Sequence, residues 1–542
     1  MSKIKLLDCT LRDGGYVNDW KFGHDNIESI FERLVDAGVD VIEIGFLDDR
    51  RPFDIDRSIM PDTDSVEKIY GNLDRKQAQI VGMIDYGTCD ISNIKPCSES
   101  YIDGIRVIFK KGIMHEAMEY CRAIKKLGYK VYSQLVSITS YTDEELLELI
   151  SLVNDVKPYA VSMVDTYGLL HPEDLLHYYE ILDANVDSTI GIGFHAHNNF
   201  QLAYANALAF LGKETDRDIV VDATLYGMGK SAGNAPLELV SMRLNEKYGK
   251  SYNINPMLEA IQESIMGFYD KAPWGYKMFF YLCALNDCHP NYLTLYKDKQ
   301  NLSVSKLNDI LSMIEPEDKK LLYDKIVAEQ LYDQFVTEKC SEDEAREKLS
   351  AELKNRNILV VGPGKNIELQ KARVDEYIAK ENPYVISINY IPKEIKVDAV
   401  FTTNVKRYHD MKTDGIKVIA TTNVECRNGK FEYHINRAPL LENRAPLLER
   451  NEKIMDNSFL MLIKLLESIG INKICCAGFD GYSDKEDNYF NPEMEYYFVK
   501  DEAHNLNTHM RESIYEARHT MDIRFLTYSA YDTNNNEHDE AF

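Results

Sequence analysis

Usable cysteine spacing is the first thing the 542-residue chain lacks. Its 10 cysteines form no Cys-X-X-Cys pair and keep no regular interval. That excludes a thiolate zinc ribbon or a disulfide framework and leaves buried, reduced thiols. Cations are scarce too: 62 Lys+Arg stand against 88 Asp+Glu, a net charge of −26. A general nucleic-acid binder needs the opposite balance, although a small anion needs only one local positive site. No stretch approaches the ~20 continuous apolar residues of a membrane span. Asp8 and Arg12 interrupt the N-terminus too early for the apolar region of a signal peptide. The expectation is a cytoplasmic protein with no nucleic-acid or membrane partner.

What is present is a rhythm. Apolar, β-branched runs recur at Ile4–Cys9, Val39–Phe46, Gln79–Ile84, Ile105–Phe109, Lys130–Ser137, Ala160–Asp165, Ile190–His195 and Ile219–Leu225. Helically spaced stretches separate them, among them Asn26–Ala37, Ile113–Leu127, Thr142–Val156, Pro172–Leu182 and Phe200–Leu211. Continuously apolar strands alternating with amphipathic helices mean a parallel sheet covered on both faces. Eight such units predict an α/β fold, a (β/α)₈ TIM barrel, over residues 1–250. Residues 251–355 lose the strand pattern and read as a helical extension and connector, suited to a lid or a dimer surface; a homo-oligomer is expected. At Asn357 the βα rhythm restarts, and residues 356–542 read as a Rossmann-like open α/β domain. Within it, Asn436–Glu442 and Asn443–Glu449 are one heptapeptide, NRAPLLE, in tandem; two copies are too few for a solenoid.

A barrel places its chemistry at the C-terminal ends of its strands. There stand Arg12-Asp13-Gly14-Gly15, Glu43, Asp165-Thr166, His195-Ala-His197 and Gly227–Asn234. His195 and His197 are two apart on a strand, so both point to one side. Alone, such a pair is as consistent with structural hydrogen bonding as with ligation. With Asp13 they make a three-ligand divalent-metal site with open positions. Ligation by nitrogen and oxygen without thiolate suits Mg²⁺, Mn²⁺, Co²⁺ or Zn²⁺.

LLDCTLRDGGY, IEIGF, DTYG, GFHAHNN and GMGKSAGNAPLE together resemble, in order, the motif series of the DRE-TIM metallolyases over about residues 1–240. That family includes 4-hydroxy-2-oxovalerate aldolase, 3-hydroxy-3-methylglutaryl-CoA lyase and isopropylmalate synthase. The resemblance implies Asp13, His195 and His197 as metal ligands, with Asn234 a fourth ligand or a close neighbour. It implies Arg12 as the group that holds the enolate oxygen. The implied reaction makes or breaks a carbon–carbon bond beside the carbonyl of a 2-oxo acid, with an aldehyde as partner. Where the aldolases carry a histidine base, this chain has Tyr16, whose ordinary pKa near ~10 makes it a weak base. Candidate bases are Tyr16 through a water, His24, and His289 in the helical extension. Glu43 either holds substrate, orients a ligand, or bonds Arg12. Lys230, at the barrel mouth, reads as solvated or anion-holding. A Claisen-type acyl transferase using acetyl-CoA and a non-catalytic binding protein are the alternatives.

In the C-terminal part, Val360-Val-Gly-Pro-Gly-Lys-Asn366 follows a strand and precedes a helix, a turn of the kind that cradles phosphate. Gly362 and Gly364 in that turn, with Asn389 and Asn404 after later strands, are candidate contacts for a nucleotide or nucleotide-sugar. The layout is loosely similar to bacterial sialyltransferase-like domains, which would suit polysaccharide biosynthesis. A nucleotide-free scaffold is the other reading.

Overall fold

The structure is a computed structural model that describes residues 4–296, 302–315, 320, 323–337, 339–427, 429–441, 457–483, 488–491 and 499–532. It divides into two compact units: Met1–Leu293 with Glu315–Tyr323, and Thr294–Ile314 with Asp324–Phe542. The helices between residues 251 and 355 are thus shared between the units.

The first unit is a closed barrel. Its strands are β1 (Ile4–Asp8), β2 (Val41–Leu47), β3 (Ile59–Met60), β4 (Gln79–Asp85), β5 (Gly104–Phe109), β6 (Lys130–Leu135), β7 (Ala160–Asp165), β8 (Gly191–Ala196) and β9 (Ile219–Ala223). They lie in the order β1-β9-β8-β7-β6-β5-β4-β2, and β1 pairs with β2 to close the ring; the two-residue β3 lies outside it, against β2. All pairings are parallel, as the continuous apolar runs require. The helices carry their expected end signals. Thr142 and Glu145 form a reciprocal capping box on Asp143–Val156, and Pro172 opens Pro172–Asn185.

The barrel interior changes character along its axis. Leu7, Val41, Val81, Tyr132, Ala160 and Val220 form an apolar layer inside. Two residues further along several of those strands stand Glu43, Gln134, Ser162 and Asp222, all buried. A period of two keeps both layers on the inner face, so the strands deliver charge to the C-terminal end of the barrel. β2 is irregular there: its register against β4 shifts between Glu43 and Phe46. Gly45, at φ +137°, passes so close to Ser58 that a Cβ would lie 2.0 Å from the Ser58 carbonyl oxygen.

The second unit holds a parallel sheet of β10 (Ile358–Val361), β11 (Tyr384–Ile388), β12 (Ala399–Thr402), β13 (Lys417–Thr421), β14 (Tyr433–Ile435), β15 (Lys473–Ala477) and β16 (Asp522–Phe525). The order is β14-β13-β12-β11-β10-β15-β16. The chain reverses direction across the sheet at β10, between β11 and β15, which is the crevice position of open α/β sheets. Of the tandem heptapeptide, Asn436–Leu441 is described, with a short turn at Ala438–Leu440; the second copy lies outside the described residues. Among the described residues, no helix is long and apolar enough to cross a membrane.

Candidate metal centre

β1 runs straight into the short turn Thr10–Asp13, which carries Arg12 and Asp13 into the mouth of the barrel. His195 is the penultimate residue of β8, and His197 follows the strand in an antiparallel bridge with Asn234. Asp13, His195, His197 and Asn234 are all buried. His195 Nε2 lies 3.3 Å and His197 Nε2 lies 3.4 Å from the Asp13 carboxylate. The candidate ligand atoms of these three residues all fall within 4.8 Å of one another.

Each imidazole is aimed by its other nitrogen. His195 Nδ1–H donates to Asp222 Oδ2 at 3.0 Å, and His197 Nδ1–H donates to the Asp165 carbonyl oxygen at 3.0 Å. In the neutral imidazoles this leaves both Nε2 atoms as inward lone pairs. Asn234 gives its Nδ2–H groups to Asp13 Oδ1 and the Met228 carbonyl, each at 3.1 Å, which leaves its Oδ1 over. His195 Nε2, His197 Nε2 and Asn234 Oδ1 are buried with no hydrogen-bond partner among the described residues. Three orphaned buried acceptors around one carboxylate are costly unless something positive joins them. One carboxylate oxygen, two imidazole nitrogens and one amide oxygen fit a divalent cation. Although burial pushes the Asp13 carboxyl up, the Arg12 guanidinium beside it holds it well below the usual carboxylate range. Burial holds His197 below the ordinary histidine value, which favours the neutral form that ligates.

The backbone of the last loop is shaped for this arrangement. Gly229 passes Asn234 so closely that a Cβ would lie 2.0 Å from Asn234 Nδ2 and 2.8 Å from Asp13 Oδ1. The Lys230 N–H donates to Asp13 Oδ1 at 3.1 Å.

Around the centre runs a closed ring of charge. Arg12 bonds Asp13 through Nη1 at 2.5 Å and Glu43 through Nε at 2.8 Å. Glu43 Oε2 also meets Arg106 Nη1 at 3.0 Å, Arg106 Nη2 pairs with Asp222, and Asp222 returns to His195. Of the alternatives for Glu43, the structure displays the bond to Arg12. Sequence reasoning missed Arg106 and Asp222. Their signal was a lone charge inside the apolar runs GIRVIF and IVVDA, two residues beyond the inward Gly104 and Val220.

Tyr16 lies on the turn Gly14–Val17 against Trp20, ring centroids 4.8 Å apart. Desolvation, with Asp13 adding to it, pushes its pKa up to about 12, so it is a donor rather than a base. His289 packs edge-on against Tyr167 at 5.5 Å. Its Nδ1 accepts the Asn291 N–H at 3.1 Å, and burial with Lys230 and Lys110 nearby holds it at about 3. It is therefore neutral, with its proton on Nε2. His24 opens the helix His24–Ala37 and pairs with Glu28 at 3.4 Å.

In the second unit the glycine turn sits at the crevice, but its donors are occupied. The Gly362 N–H donates to the Ala477 carbonyl and the Gly364 N–H to the Gly478 carbonyl, both at 2.8 Å. The Asn366 N–H, at the helix start, donates to Asp480 Oδ2 at 2.8 Å. A carboxylate of the chain itself stands where a phosphate would bind. Asn389 Oδ1 accepts from Thr402 and Thr403, and Asn404 caps Val405–Asp410. These four residues hold loops together.

Residues 3–262 match the HMGL-like family model, a family of metal-dependent aldolases, lyases and acyltransferases. The chain is 26% identical over 245 residues to 4-hydroxy-2-oxovalerate aldolase 2 of Salinispora arenicola, covering 45% of this chain and 69% of that protein. It is 25% identical over 319 residues to oxaloacetate decarboxylase of Mycobacterium tuberculosis, covering 55% and 88%. The HMG-CoA lyase structure from Brucella melitensis aligns with a TM-score of 0.39 at 16% identity, over 48% of this chain and 96% of that one.

Proposed function

Taking residues 3–262 as an HMGL-like domain, we propose that the barrel is a divalent-metal-dependent carbon–carbon lyase, an aldolase that works on a 2-oxo acid through its enolate. The observation that carries this reading is the set of orphaned acceptors on His195, His197 and Asn234 around Asp13. The two named relatives support the substrate class, since 4-hydroxy-2-oxovalerate and oxaloacetate are both 2-oxo acids.

A divalent cation held by Asp13, His195, His197 and Asn234 would supply Lewis acidity to the substrate's carbonyl oxygen. Arg12, clamped by Asp13 and Glu43, keeps a guanidinium fixed where negative charge develops, so no reorganisation is needed as the bond breaks. Asp222 holds the tautomer of His195. Tyr16 and His289 both present neutral donors at the mouth, suited to hydrogen-bonding the oxygen that interconverts between carbonyl and hydroxyl.

Proton exchange at C3 of pyruvate in D₂O, followed by NMR, tests the reading because it reports the enolate without an aldehyde partner. Exchange that requires a divalent metal is the expected result. Release of free coenzyme A from acetyl-CoA and a 2-oxo acid would instead identify an acyl transferase.

A further inference from the structure

Lys230 follows β9 in a loop held in uncommon backbone conformations. Tyr226 (φ 55°) and Ser231 (φ 58°) are left-handed without being glycine, with Gly227 and Gly233 left-handed between and after them. Such strain persists only where surrounding contacts impose it. Here Trp274 Nε1–H donates to the Tyr226 carbonyl at 2.9 Å, and the Gly233 N–H closes a turn on the Lys230 carbonyl at 2.9 Å. The loop's result is a defined position for one side chain. Lys230 Nζ lies 5.6 Å from the ring centre of Tyr16 and 5.4 Å from that of Tyr167. These rings come from the loops after β1 and β7, so the ammonium is held between different sectors of the mouth. Aromatic faces stabilise a cation without neutralising it.

No carboxylate among the described residues makes an ion pair with Lys230, although most buried or half-buried cations of the barrel have one, including Arg12, Arg106 and Arg217. Asp13 attracts it, but the Asp13 carboxylate already accepts from Arg12, from Asn234 Nδ2 and from the Lys230 backbone N–H. Lys110, at the end of β5, adds a second positive charge that repels Lys230 rather than pairing with it. His289, neutral and carrying its proton on Nε2, stands against Tyr167 beside this pair. The chain is strongly acidic, yet this corner of its mouth holds two lysines and a donor, and the carboxylates that act on them, Asp13 on Lys230 and Asp85 on Lys110, do so at a distance, with no ion pair among the described residues. A half-buried ammonium of this kind is unfavourable alone and becomes favourable when an anion arrives.

We propose that Lys230 is the specificity-determining residue for a second carboxylate, at the end of the substrate remote from the metal centre, so that the barrel prefers a dicarboxylic 2-oxo acid. The proposal rests on the aldolase reading above and names its substrate class. One monoanionic carboxylate matches one ammonium, with Lys110 and the His289 donor in support. The metal centre takes the 2-oxo acid end; the rings of Tyr16 and Tyr167 flank the chain between.

The test compares two five-carbon probes that differ in the terminal group, 2-oxoglutarate and 2-oxovalerate, by calorimetric titration of the metal-loaded full-length protein. The wild type should bind 2-oxoglutarate roughly tenfold or more tightly. Lys230→Met should erase that preference while leaving 2-oxovalerate affinity and metal content unchanged, and Lys230→Arg should retain it. Equal affinities in the wild type, or a preference that survives in Lys230→Met, overturn the proposal while metal-dependent pyruvate exchange keeps the aldolase reading intact. If neither probe binds and pyruvate does not exchange, both readings fall together.

Discussion

His195 donates its Nδ1–H to Asp222 at 3.0 Å, and Asp222 is itself paired with Arg106, so the aim of a candidate metal ligand is set by a residue on the neighbouring strand. Although burial pushes Asp222 up, Arg106 and His195 hold it below the usual carboxylate range. An anionic partner raises the basicity of the ligating nitrogen.

Asp222→Asn removes that charge without removing bulk. Metal affinity should fall by about 10–100-fold, the usual effect of losing an outer partner of a ligating histidine. Competition with a metal-binding dye measures it. Unchanged affinity would mean that packing alone orients His195.

Arg106→Met tests the ring as a structural element. Glu43 and Asp222 would both lose a cation while remaining buried. Breaking a buried pair from one side typically costs about 3–5 kcal/mol, because the remaining charge is left uncompensated. The expected outcome is a large loss of unfolding free energy in urea. Met keeps much of the volume, so a cavity does not explain the loss.

How far this centre could be read from sequence depends on how far apart its parts lie in the chain. His195 and His197 are legible because a separation of two on a strand fixes a common face. Asp13 is legible because a strand end followed by a charged turn marks a barrel mouth. The ring is not: Arg106 and Asp222 are 116 residues apart and meet only because β1 pairs with β2 and shuts the barrel. Each reads alone as an odd charge in an apolar run. Gly362 and Gly364 show the converse, two readings that sequence leaves open. A glycine turn between strand and helix has the same sequence whether its N–H groups face a phosphate or the chain's own Asp480, and only the placement of the loop after β15 decides. β14 and β16 are hard to read from sequence because Tyr433–Ile435 and Asp522–Phe525 are three and four residues long, with polar His434 and Arg524 inside them.

Asp13→Ala or His197→Ala should abolish stoichiometric binding of divalent metal, measured by elemental analysis after gel filtration, since each removes one of few ligands. Full metal content in both variants would relocate the centre.

Gly229→Ala probes the loop rather than a ligand. The new Cβ would stand 2.0 Å from Asn234 Nδ2 and 2.8 Å from Asp13 Oδ1, so one of them must move. Weaker metal binding with little change in global stability is expected.

Arg12→Lys separates directed hydrogen bonding from charge. Lysine keeps the positive charge, but one ammonium cannot reproduce a planar fork held by Asp13 on one side and Glu43 on the other. If Arg12 faces the enolate oxygen, its loss acts where charge is greatest, so kcat should fall by about 10²–10³ with a much smaller change in KM. Metal content should hold, because Arg12 contributes no ligand atom. The same variant should slow pyruvate C3 exchange by a similar factor, since exchange passes through the same charge development. A variant that exchanges as fast as the wild type would assign Arg12 to the structural ring alone and move the oxyanion contact elsewhere in the mouth.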